Sequence, residues 1–401
     1  MKFSTQCSAP CLRLLASIWL CSSAVLFAAG EFAVDPSGDP QQLPDIDGST
    51  VVWQEYVSSY GDYDIFGIDL EDTAGNLYIV DWLKDQTHPR IFGTRVVWQN
   101  DYYSDGSDYD IHVSDITDPS AIVHYPVAIT PDVSESNPAI HGDLVAFQQQ
   151  YTDPDTAAVD WDVYAADIVE PNSVRVYSVT LWAEDQTTPA VYRNDVVFSD
   201  YFIWPDTTEG SWDITIADTW LKNEPDYQYP AFEPEDETAP AIDRDYLVYQ
   251  RDYSGDGTDY DIIAIDRSDP RVFVTIPVAQ SAFSEKAPDV SGHIVVWQDN
   301  RSGNWDIYGY NLTTRKEFRI TDNAADQTNP AISGDTVVWQ DMRTGVSTIY
   351  AVYLTGADIA DSPTPLAGDT DNNGRVDLND FLSLAENWLA CNLDPADACT
   401  N

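Results

Sequence analysis

The sequence predicts an all-β fold built from repeated units, and three observations predict it. A proline followed by a short apolar segment recurs every 42 to 51 residues along the chain. A strand of β-branched and aromatic residues follows shortly after each proline, and a segment that alternates apolar and polar residues comes next. The prolines are Pro44, Pro89, Pro138, Pro189, Pro240, Pro288 and Pro330. Repetition at this period is the signature of repeat architectures, so it decides the fold before any single motif does.

The apolar strand in each unit is predicted to be buried, because β-branched and aromatic side chains favour strands over helices. Its seven copies begin at Val51, Val96, Val145, Val196, Leu247, Val295 and Val337. The strand after it opens with an aromatic residue, an aspartate and an aliphatic residue in six units. These triplets begin at Tyr63, Tyr109, Trp161, Trp212, Tyr260 and Trp305, and the seventh unit has Ser347-Thr348-Ile349 instead. Alternation after the triplet predicts a sheet with unlike faces.

Units of this length with four strand-sized segments have the size of propeller blades, so residues 31–357 are predicted to form a seven-bladed β-propeller. The two ends predict how the ring closes. Phe318 lies twelve residues before Pro330, and Phe32 lies twelve residues before Pro44. The N-terminal strand is therefore predicted to complete the last blade, which removes a free sheet edge.

Two of these features carry a family resemblance. The segments Asp85 to Pro89, Asp185 to Pro189 and Asp326 to Pro330 read Asp-Gln-Thr-x-Pro, and the aromatic-Asp-Ile-Tyr strand accompanies them. Together they resemble the TolB-like and WD40-like bacterial β-propeller repeats. The resemblance implies the fold over roughly residues 31 to 360. It does not specify a function, because propellers include enzymes, ligand binders and scaffolds.

Residues 1–30 are interpreted as a cleaved secretory signal. Lys2 and Arg13 are their only charges, and an apolar run from Leu14 to Ala29 precedes small residues. The alternative is a retained N-terminal anchor. We expect a secreted or cell-surface protein, with the periplasm also open, and no membrane span in the mature chain. Cys391 and Cys399 are the cysteines outside the signal, and in an oxidising compartment they are expected to form one disulfide.

A calcium-binding loop is predicted near the C-terminus. Oxygen donors stand at loop positions 1, 3, 5, 9 and 12, with Gly374 at position 6, and the residue at position 7 offers its backbone carbonyl. The ligands are predicted to be Asp369, Asp371, Asn373, Arg375, Asp377 and Asp380. The alternative is a flexible acidic linker that matches the pattern by chance.

The loop and the helix predicted after it resemble the type I dockerin segment, a module that docks secreted bacterial proteins onto cohesin domains. In that family loop positions 10 and 11 contact the cohesin, and here these are Leu378 and Asn379. Residues 358–367 are expected to be a flexible linker because Asp, Ser and Pro are frequent in and around them, and the resemblance assigns residues 368–401 to a dockerin-like, EF-hand-like segment. Dockerins carry two such segments and one is found here, so either a partner or the propeller is expected to cover the apolar stripe of the helix.

Composition and charge exclude several classes of partner. The chain has 68 acidic and 19 basic residues, and its formal net charge is -49. Nucleic acids and anionic membranes are excluded because Lys and Arg carry affinity for both. Acidic polysaccharides are poor ligands for the same reason, unless cations bridge them. The aromatic fraction of 12% argues against a disordered chain.

No catalytic residue is assigned from the sequence. The histidines have no metal-ligand spacing, and there is no Gly-x-Ser-x-Gly elbow. Acidic residues recur before the blade prolines, at Asp85, Glu135, Asp185, Asp236, Glu285 and Asp326. They are expected either to line one rim with a ring of carboxylates or to accept hydrogen bonds from backbone N–H groups of turns.

Three functions follow from these features. The first is a secreted or cell-surface propeller without catalysis, which binds a protein or carbohydrate ligand and is tethered to a cohesin-like or other surface protein by the tail. The second is a polysaccharide-degrading lyase or glycosidase, in which His141 and His293 serve a metal as in propellers that cleave uronic-acid polymers. The third is a structural surface-layer protein. The aromatic loop of the fourth unit is the predicted recognition edge, through Tyr201, Phe202, Trp204 and Trp212.

Overall fold

The computed structural model describes residues 30–355, apart from residues 73–74, 76, 102–107, 153–156, 170–172, 204–209, 223 and 270. Its 28 strands form seven four-stranded antiparallel sheets, arranged as the blades of a propeller. The predicted all-β, seven-bladed fold is thereby confirmed. In this part of the chain no helix is long and apolar enough to span a bilayer.

The strands run outward from the axis in each blade. Blade 1 contains β2 (Gln41–Asp47), β3 (Thr50–Val57), β4 (Asp62–Asp69) and β5 (Leu77–Val80). Blade 2 contains β6 (Gln86–Phe92), β7 (Arg95–Asp101), β8 (Tyr109–Asp115) and β9 (Val123–Ala128). Blade 3 contains β10 (Glu135–His141), β11 (Leu144–Thr152), β12 (Val159–Asp167) and β13 (Arg175–Ser178). Blade 4 contains β14 (Gln186–Tyr192), β15 (Asp195–Ile203), β16 (Gly210–Asp218) and β17 (Asp226–Ala231).

The remaining blades follow the same order. Blade 5 contains β18 (Asp236–Asp243), β19 (Tyr246–Asp252), β20 (Tyr260–Asp269) and β21 (Val272–Ala279). Blade 6 contains β22 (Glu285–Ser291), β23 (Ile294–Asp299), β24 (Asp306–Asn311) and β25 (Lys316–Arg319). Blade 7 contains β26 (Gln327–Ser333), β27 (Thr336–Asp341), β28 (Thr348–Tyr353) and, from the start of the chain, β1 (Phe32–Ala33).

The hydrophobic core lies between blades, with one cluster at each of the seven interfaces. Val51 packs into the cluster shared with blade 7, and its neighbour Val52 packs into the cluster shared with blade 2. Successive residues of a strand point to opposite faces. The second strand of a blade is therefore apolar at consecutive positions because both of its faces are buried.

The ring closes as the sequence predicted. β1 pairs antiparallel with β28, with Phe32 opposite Ala351. Arg343 of blade 7 makes an ion pair with Glu31 (2.5 Å), just as Arg301 of blade 6 does with Glu317 of its own outer strand (2.6 Å). The chain's first strand thus replaces the outer strand that blade 7 would otherwise lack.

A bulge in the innermost strand repeats in every blade. The residue before each blade proline has a positive φ of 49 to 53° and sits at a register shift of the first strand pair. A positive φ is uncommon in non-glycine residues, so the bulge needs support. In five blades the glutamine that ends the Val-Val-Trp-Gln type of segment in the preceding blade accepts a hydrogen bond from this residue's N–H. The donors are His88, Asn137, Thr188, Ala287 and Asn329.

Candidate functional site

Two cavities are candidate sites, and the first is the axial channel. Its volume is about 460 Å³, and six of the seven blade prolines line it, all except Pro89. The carboxylates of Asp45 and Asp289 also line it, and each accepts a hydrogen bond from a backbone N–H of the next blade, at Ile91 and Ile332 (both 2.8 Å). Burial raises the pKa of Asp289 to about 7. These acids therefore tie blades together around the channel.

The aspartates before the blade prolines have the same kind of role. Asp85, Asp185, Asp236 and Asp326 each accept a hydrogen bond from the backbone N–H of the aromatic residue that opens the triplet of the preceding blade, at 2.9 to 3.0 Å. Of the two expected roles, the acceptance of backbone hydrogen bonds is therefore the one observed for these four aspartates. Glu135 likewise accepts from the backbone N–H of Thr130 (3.3 Å), whereas Glu285 accepts from the Ser281 hydroxyl. The donors to the four aspartates lie across a blade interface and not in a local turn.

The second cavity is a groove of about 650 Å³ at the edge of blade 4, which we call the blade 4 groove. The ends of β15 and β17 and the segment before β14 form it. Aromatic side chains dominate its wall: Trp182, Tyr201, Phe202, Tyr229 and Phe232. The Phe202 and Phe232 rings meet edge to face at 5.2 Å, and 53% of Tyr229 and 42% of Phe232 are exposed. The groove thus presents large apolar surfaces to solvent on one side of the ring.

Polar groups line the groove beside the aromatic wall. Gln186 donates a hydrogen bond through Nε2 to Asp200 Oδ1 (3.2 Å), and Thr215 Oγ1 donates to Asp200 Oδ2 (3.4 Å). Glu184, Gln186 and Asp200 all line the cavity. A wall of aromatic rings with a few fixed polar groups is the usual composition of a small-ligand site.

Asp200 is one member of a buried carboxyl pair. It lies directly opposite Asp213 across β15 and β16, and the two residues are 7% and 1% exposed. Residues opposite each other on an antiparallel pair have Cβ atoms about 4.5 to 5.5 Å apart. Burial raises the pKa of Asp200 to about 6, and burial together with the charge of Asp200 raises that of Asp213 to about 7. The pair therefore holds a proton near neutral pH.

Blade 6 has the same carboxyl pair, Asp299 opposite Asp306, but surrounds it with donors. Trp297 Nε1 donates to Asp299 (3.3 Å), Arg301 Nε donates to Asp299 (2.8 Å), and Arg319 donates to Asp306 (2.8 Å). The segment that supplies the first two donors reads Trp-Gln-Asp-Asn-Arg.

Blade 4 reads Phe-Ser-Asp-Tyr-Phe over residues 198–202. Phe198 and Phe202 replace the tryptophan and the arginine, so neither donor is present. Among the described residues, no lysine or arginine forms an ion pair with Asp200 or Asp213. Within the described part of the chain, the carboxyl pair of blade 4 thus has no neutralising cation, and its member Asp200 lines the groove.

Three of the four residues of the predicted recognition edge lie in the described part of the chain. Tyr201 and Phe202 line the groove, whereas Trp212 packs against Tyr201 at 5.3 Å and is not among the lining residues. Trp204 lies outside the described residues. Sequence reasoning missed Trp182, Tyr229 and Phe232, which come from the segments beside the predicted loop, and it missed Asp200.

His141 and His293, which the lyase alternative would use to hold a metal, lie in different blades. His141 packs between the rings of Phe92 (4.2 Å) and Tyr192 (4.6 Å), and burial lowers its pKa. His293 lies in the turn between β22 and β23 of another blade. Across the described residues, no three His, Cys, Asp or Glu side chains are grouped to hold a metal ion.

Several predicted site residues fall outside the described part of the chain. They are the calcium ligands Asp369, Asp371, Asn373, Arg375, Asp377 and Asp380, the partner contacts Leu378 and Asn379, and the cysteines Cys391 and Cys399.

Comparison with known proteins identifies the fold and no family. A scan against protein-family models finds no match, and a search of curated proteins finds none. Among solved structures, an oligogalacturonate lyase from Vibrio parahaemolyticus is similar with a TM-score of 0.59 at 10% identity, covering 82% of this chain and 94% of that one. The propeller domain of the Trilobed protease from Pyrococcus furiosus gives 0.59 at 10% identity, covering 78% and 95%.

A puromycin-hydrolyzing peptidase from Mycobacterium tuberculosis is also similar, with a TM-score of 0.57 at 13% identity. The match covers 81% of this chain and 53% of the peptidase, so the chain spans about half of the peptidase's length. At these identities the likeness shows the propeller fold alone.

Proposed function

We propose that the protein is a glycan-binding propeller and that the blade 4 groove binds a neutral sugar chain. The observation that carries this proposal is the set of aromatic rings on the groove wall beside Glu184, Gln186 and Asp200. Aromatic rings bind through large, flat apolar faces, which match the apolar faces of pyranose rings. Carboxylate and amide groups accept and donate the hydrogen bonds that sugar hydroxyls need.

The charge of the protein favours a neutral ligand over a uronic-acid chain. The whole chain carries a net charge of -49, and two of the polar residues that line the groove are acidic. Fields of one sign raise the local concentration of opposite charges and lower that of like charges. We therefore expect glucan-type or xylan-type oligosaccharides to bind better than oligogalacturonates.

The test is calorimetric titration of the full chain with cellohexaose, xylohexaose and an oligogalacturonate of the same length. We expect saturable binding of at least one neutral hexaose. Tyr229→Ala and Phe232→Ala should each weaken binding about tenfold, because each removes an exposed ring worth about 1 kcal/mol or more.

Tyr253→Ala is the matched control, since Tyr253 is 64% exposed but does not line the groove. An equal loss in the control, or silence with both neutral hexaoses, would contradict the proposal. If neither neutral hexaose gives heat of binding, a protein becomes the ligand to test for the same surface.

We also propose, from the sequence of residues 368–401, that the tail binds Ca²⁺ through the loop that begins at Asp369 and contacts a cohesin-like protein through Leu378 and Asn379. Residues 1–30 support export of the chain. Chelation of calcium should abolish any transition of the tail in a calorimetric scan while leaving the main propeller transition in place. A large fall in the main transition on chelation would mean that the propeller itself depends on the metal.

A further inference from the structure

We propose that the blade 4 groove also hydrolyses the glycan that it binds, with Asp200 as general acid, Glu184 as general base and Asp213 as a positioning residue. This inference rests on the proposed glycan binding. It adds a reaction to the site and assigns a role to each of three carboxyl groups.

The first support is the placement of the carboxyls. Asp200 and Glu184 both line the groove, and Asp213 lies behind Asp200 on the neighbouring strand. Glycoside hydrolysis generally uses two carboxyl groups, one protonated and one ionised, on either side of the bond that breaks. The groove offers both groups to one ligand.

The second support is the protonation of the buried pair. Asp200 and Asp213 lie opposite each other, and no cation among the described residues pairs with either. Burial raises both pKa values, to about 6 and about 7. Two like charges at this separation do not both ionise readily, so the last proton stays on the pair until the pH approaches 7. The higher pKa of the two is that of Asp213, and Asp200 is the member of the pair that lines the groove, so in this mechanism the shared proton leaves the pair through Asp200. A carboxyl pair that keeps a proton near neutral pH meets the requirement of general-acid catalysis.

The third support is the difference between blade 4 and the two blades that share its aspartate, blades 6 and 7. Blades 6 and 7 place a tryptophan two residues before the equivalent aspartate and an arginine two residues after it, and both hydrogen-bond to that aspartate. Blade 4 has phenylalanine at both positions, and Phe202 lines the groove. Asp200 therefore has the neutral donors Gln186 and Thr215 in place of the indole and the guanidinium that its equivalents have in blades 6 and 7.

The reaction balances as a hydrolysis. Asp200 donates its proton to the glycosidic oxygen as the bond between that oxygen and the anomeric carbon breaks. Glu184 removes a proton from a water molecule, whose oxygen forms the new bond to the anomeric carbon. One water is consumed, Asp200 is left ionised and Glu184 protonated, and exchange with solvent resets both groups.

The test is incubation of the full chain with cellohexaose and xylohexaose in ¹⁸O-water, with the products analysed by mass spectrometry. We expect shorter oligosaccharides that carry one ¹⁸O at the new reducing end. Asp200→Asn and Glu184→Gln should each lower turnover by about 100-fold or more. Asn and Gln keep the size of the native side chains, so binding of the hexaose should change only a few-fold.

The variant Asp213→Asn tests whether Asp213 acts as a positioning residue for Asp200 or only stabilises the fold. Without the second carboxyl, Asp200 titrates with no coupled partner. The alkaline limb of the pH profile of turnover should therefore move from about 7 to about 6. Asp269→Asn is the charge-matched control on the surface of blade 5, and it should change neither turnover nor the profile.

The outcomes distinguish this inference from the proposed function. Binding without hydrolysis would overturn the inference and leave the glycan-binding proposal standing. Hydrolysis that survives in Asp200→Asn would also overturn it. If the protein binds neither hexaose, both the glycan-binding proposal and the hydrolysis inference are wrong.

Discussion

Blades 4 and 6 share a fold and a buried carboxyl pair, but the residues that surround the pair differ between the two blades. In blade 6 Arg301 and Arg319 neutralise Asp299 and Asp306, which are fully buried. In blade 4 no described lysine or arginine pairs with Asp200 or Asp213, and Asp200 lines a groove. A buried acid without a cation costs stability. Among the described residues blade 1 also has such a pair, Glu55 opposite Asp64, so the feature that distinguishes blade 4 is that its pair borders the groove.

The two blades also differ at the start of their innermost strands. Blade 6 has Glu285, whereas blade 4 has Gln186 at the equivalent position, and both are fully buried. Burial and nearby carboxylates raise the pKa of Glu285 to about 8, while the hydrogen bond from Ser281 opposes this rise. Glu135 and Glu237 of blades 3 and 5 behave likewise, with a pKa of about 8. Blade 6 thus keeps a neutral acid where blade 4 keeps an amide.

The largest effect is expected from removing the cation of blade 6. Arg301→Ala leaves Asp299 buried without its guanidinium partner, which should cost about 3 kcal/mol of unfolding free energy. Urea denaturation measures this cost. Arg271→Ala is the control, because its ion pair with Asp269 is long (3.8 Å) and exposed, and it should cost less than about 0.5 kcal/mol. Similar costs for both variants would show that the buried pair in blade 6 needs no cation.

The reverse experiment gives blade 4 the sequence of blade 6. Phe198→Trp together with Phe202→Arg supplies the N–H donor and the guanidinium that Asp200 lacks. The arginine should lower the pKa of Asp200 and replace a ring of the groove wall, so glycan affinity should fall about tenfold, or about 1.4 kcal/mol. Calorimetric titration measures the affinity, and urea denaturation should show unchanged or higher stability. Retained affinity in a correctly folded double variant would mean that the groove does not depend on this departure from the repeat.

The architecture could be predicted from the sequence because the same proline and the same apolar strand recur in every unit. Seven prolines and seven apolar strands fix the number of blades, and the match between Phe32 and Phe318 fixes the closure. The site was harder to predict. Tyr201 and Phe202 could be picked out from a long aromatic loop, but the approach of Trp182 and Phe232 depends on how neighbouring strands and blades meet in space.

Asp200 could not be recognised among 68 acidic residues by composition. The usable signal was the comparison of aligned units, in which Phe-Ser-Asp-Tyr-Phe stands where two other blades have Trp-Gln-Asp-x-Arg. The calcium tail stays a prediction from its spacing.

A smaller effect is expected from pH. A buried glutamate whose pKa is raised from 4.5 to about 8 keeps its proton in the folded state, so its contribution to stability is full below about pH 4.5 and is lost as the pH rises through about 8. The melting temperature should therefore fall between pH 5 and pH 9. Glu285→Gln, which copies Gln186, should flatten this dependence by on the order of 1 kcal/mol at pH 9. A pH dependence identical to that of the native chain would show that Glu285 is ionised in the folded protein.

The smallest effect is expected at the ring closure, where blades 6 and 7 carry equivalent ion pairs. Glu317→Gln removes a partly exposed pair within one blade and should cost about 0.5 kcal/mol. Glu31→Gln removes the same pair with Arg343, but Glu31 also anchors a strand of two residues at the start of the described chain. The second variant should therefore cost slightly more, about 1 kcal/mol, and hydrogen exchange at Phe32 and Ala351 should speed up only in this variant. Equal exchange in both variants would show that the hydrophobic contacts of Phe32 and Val34, which pack against blade 7, close the ring without help from the ion pair.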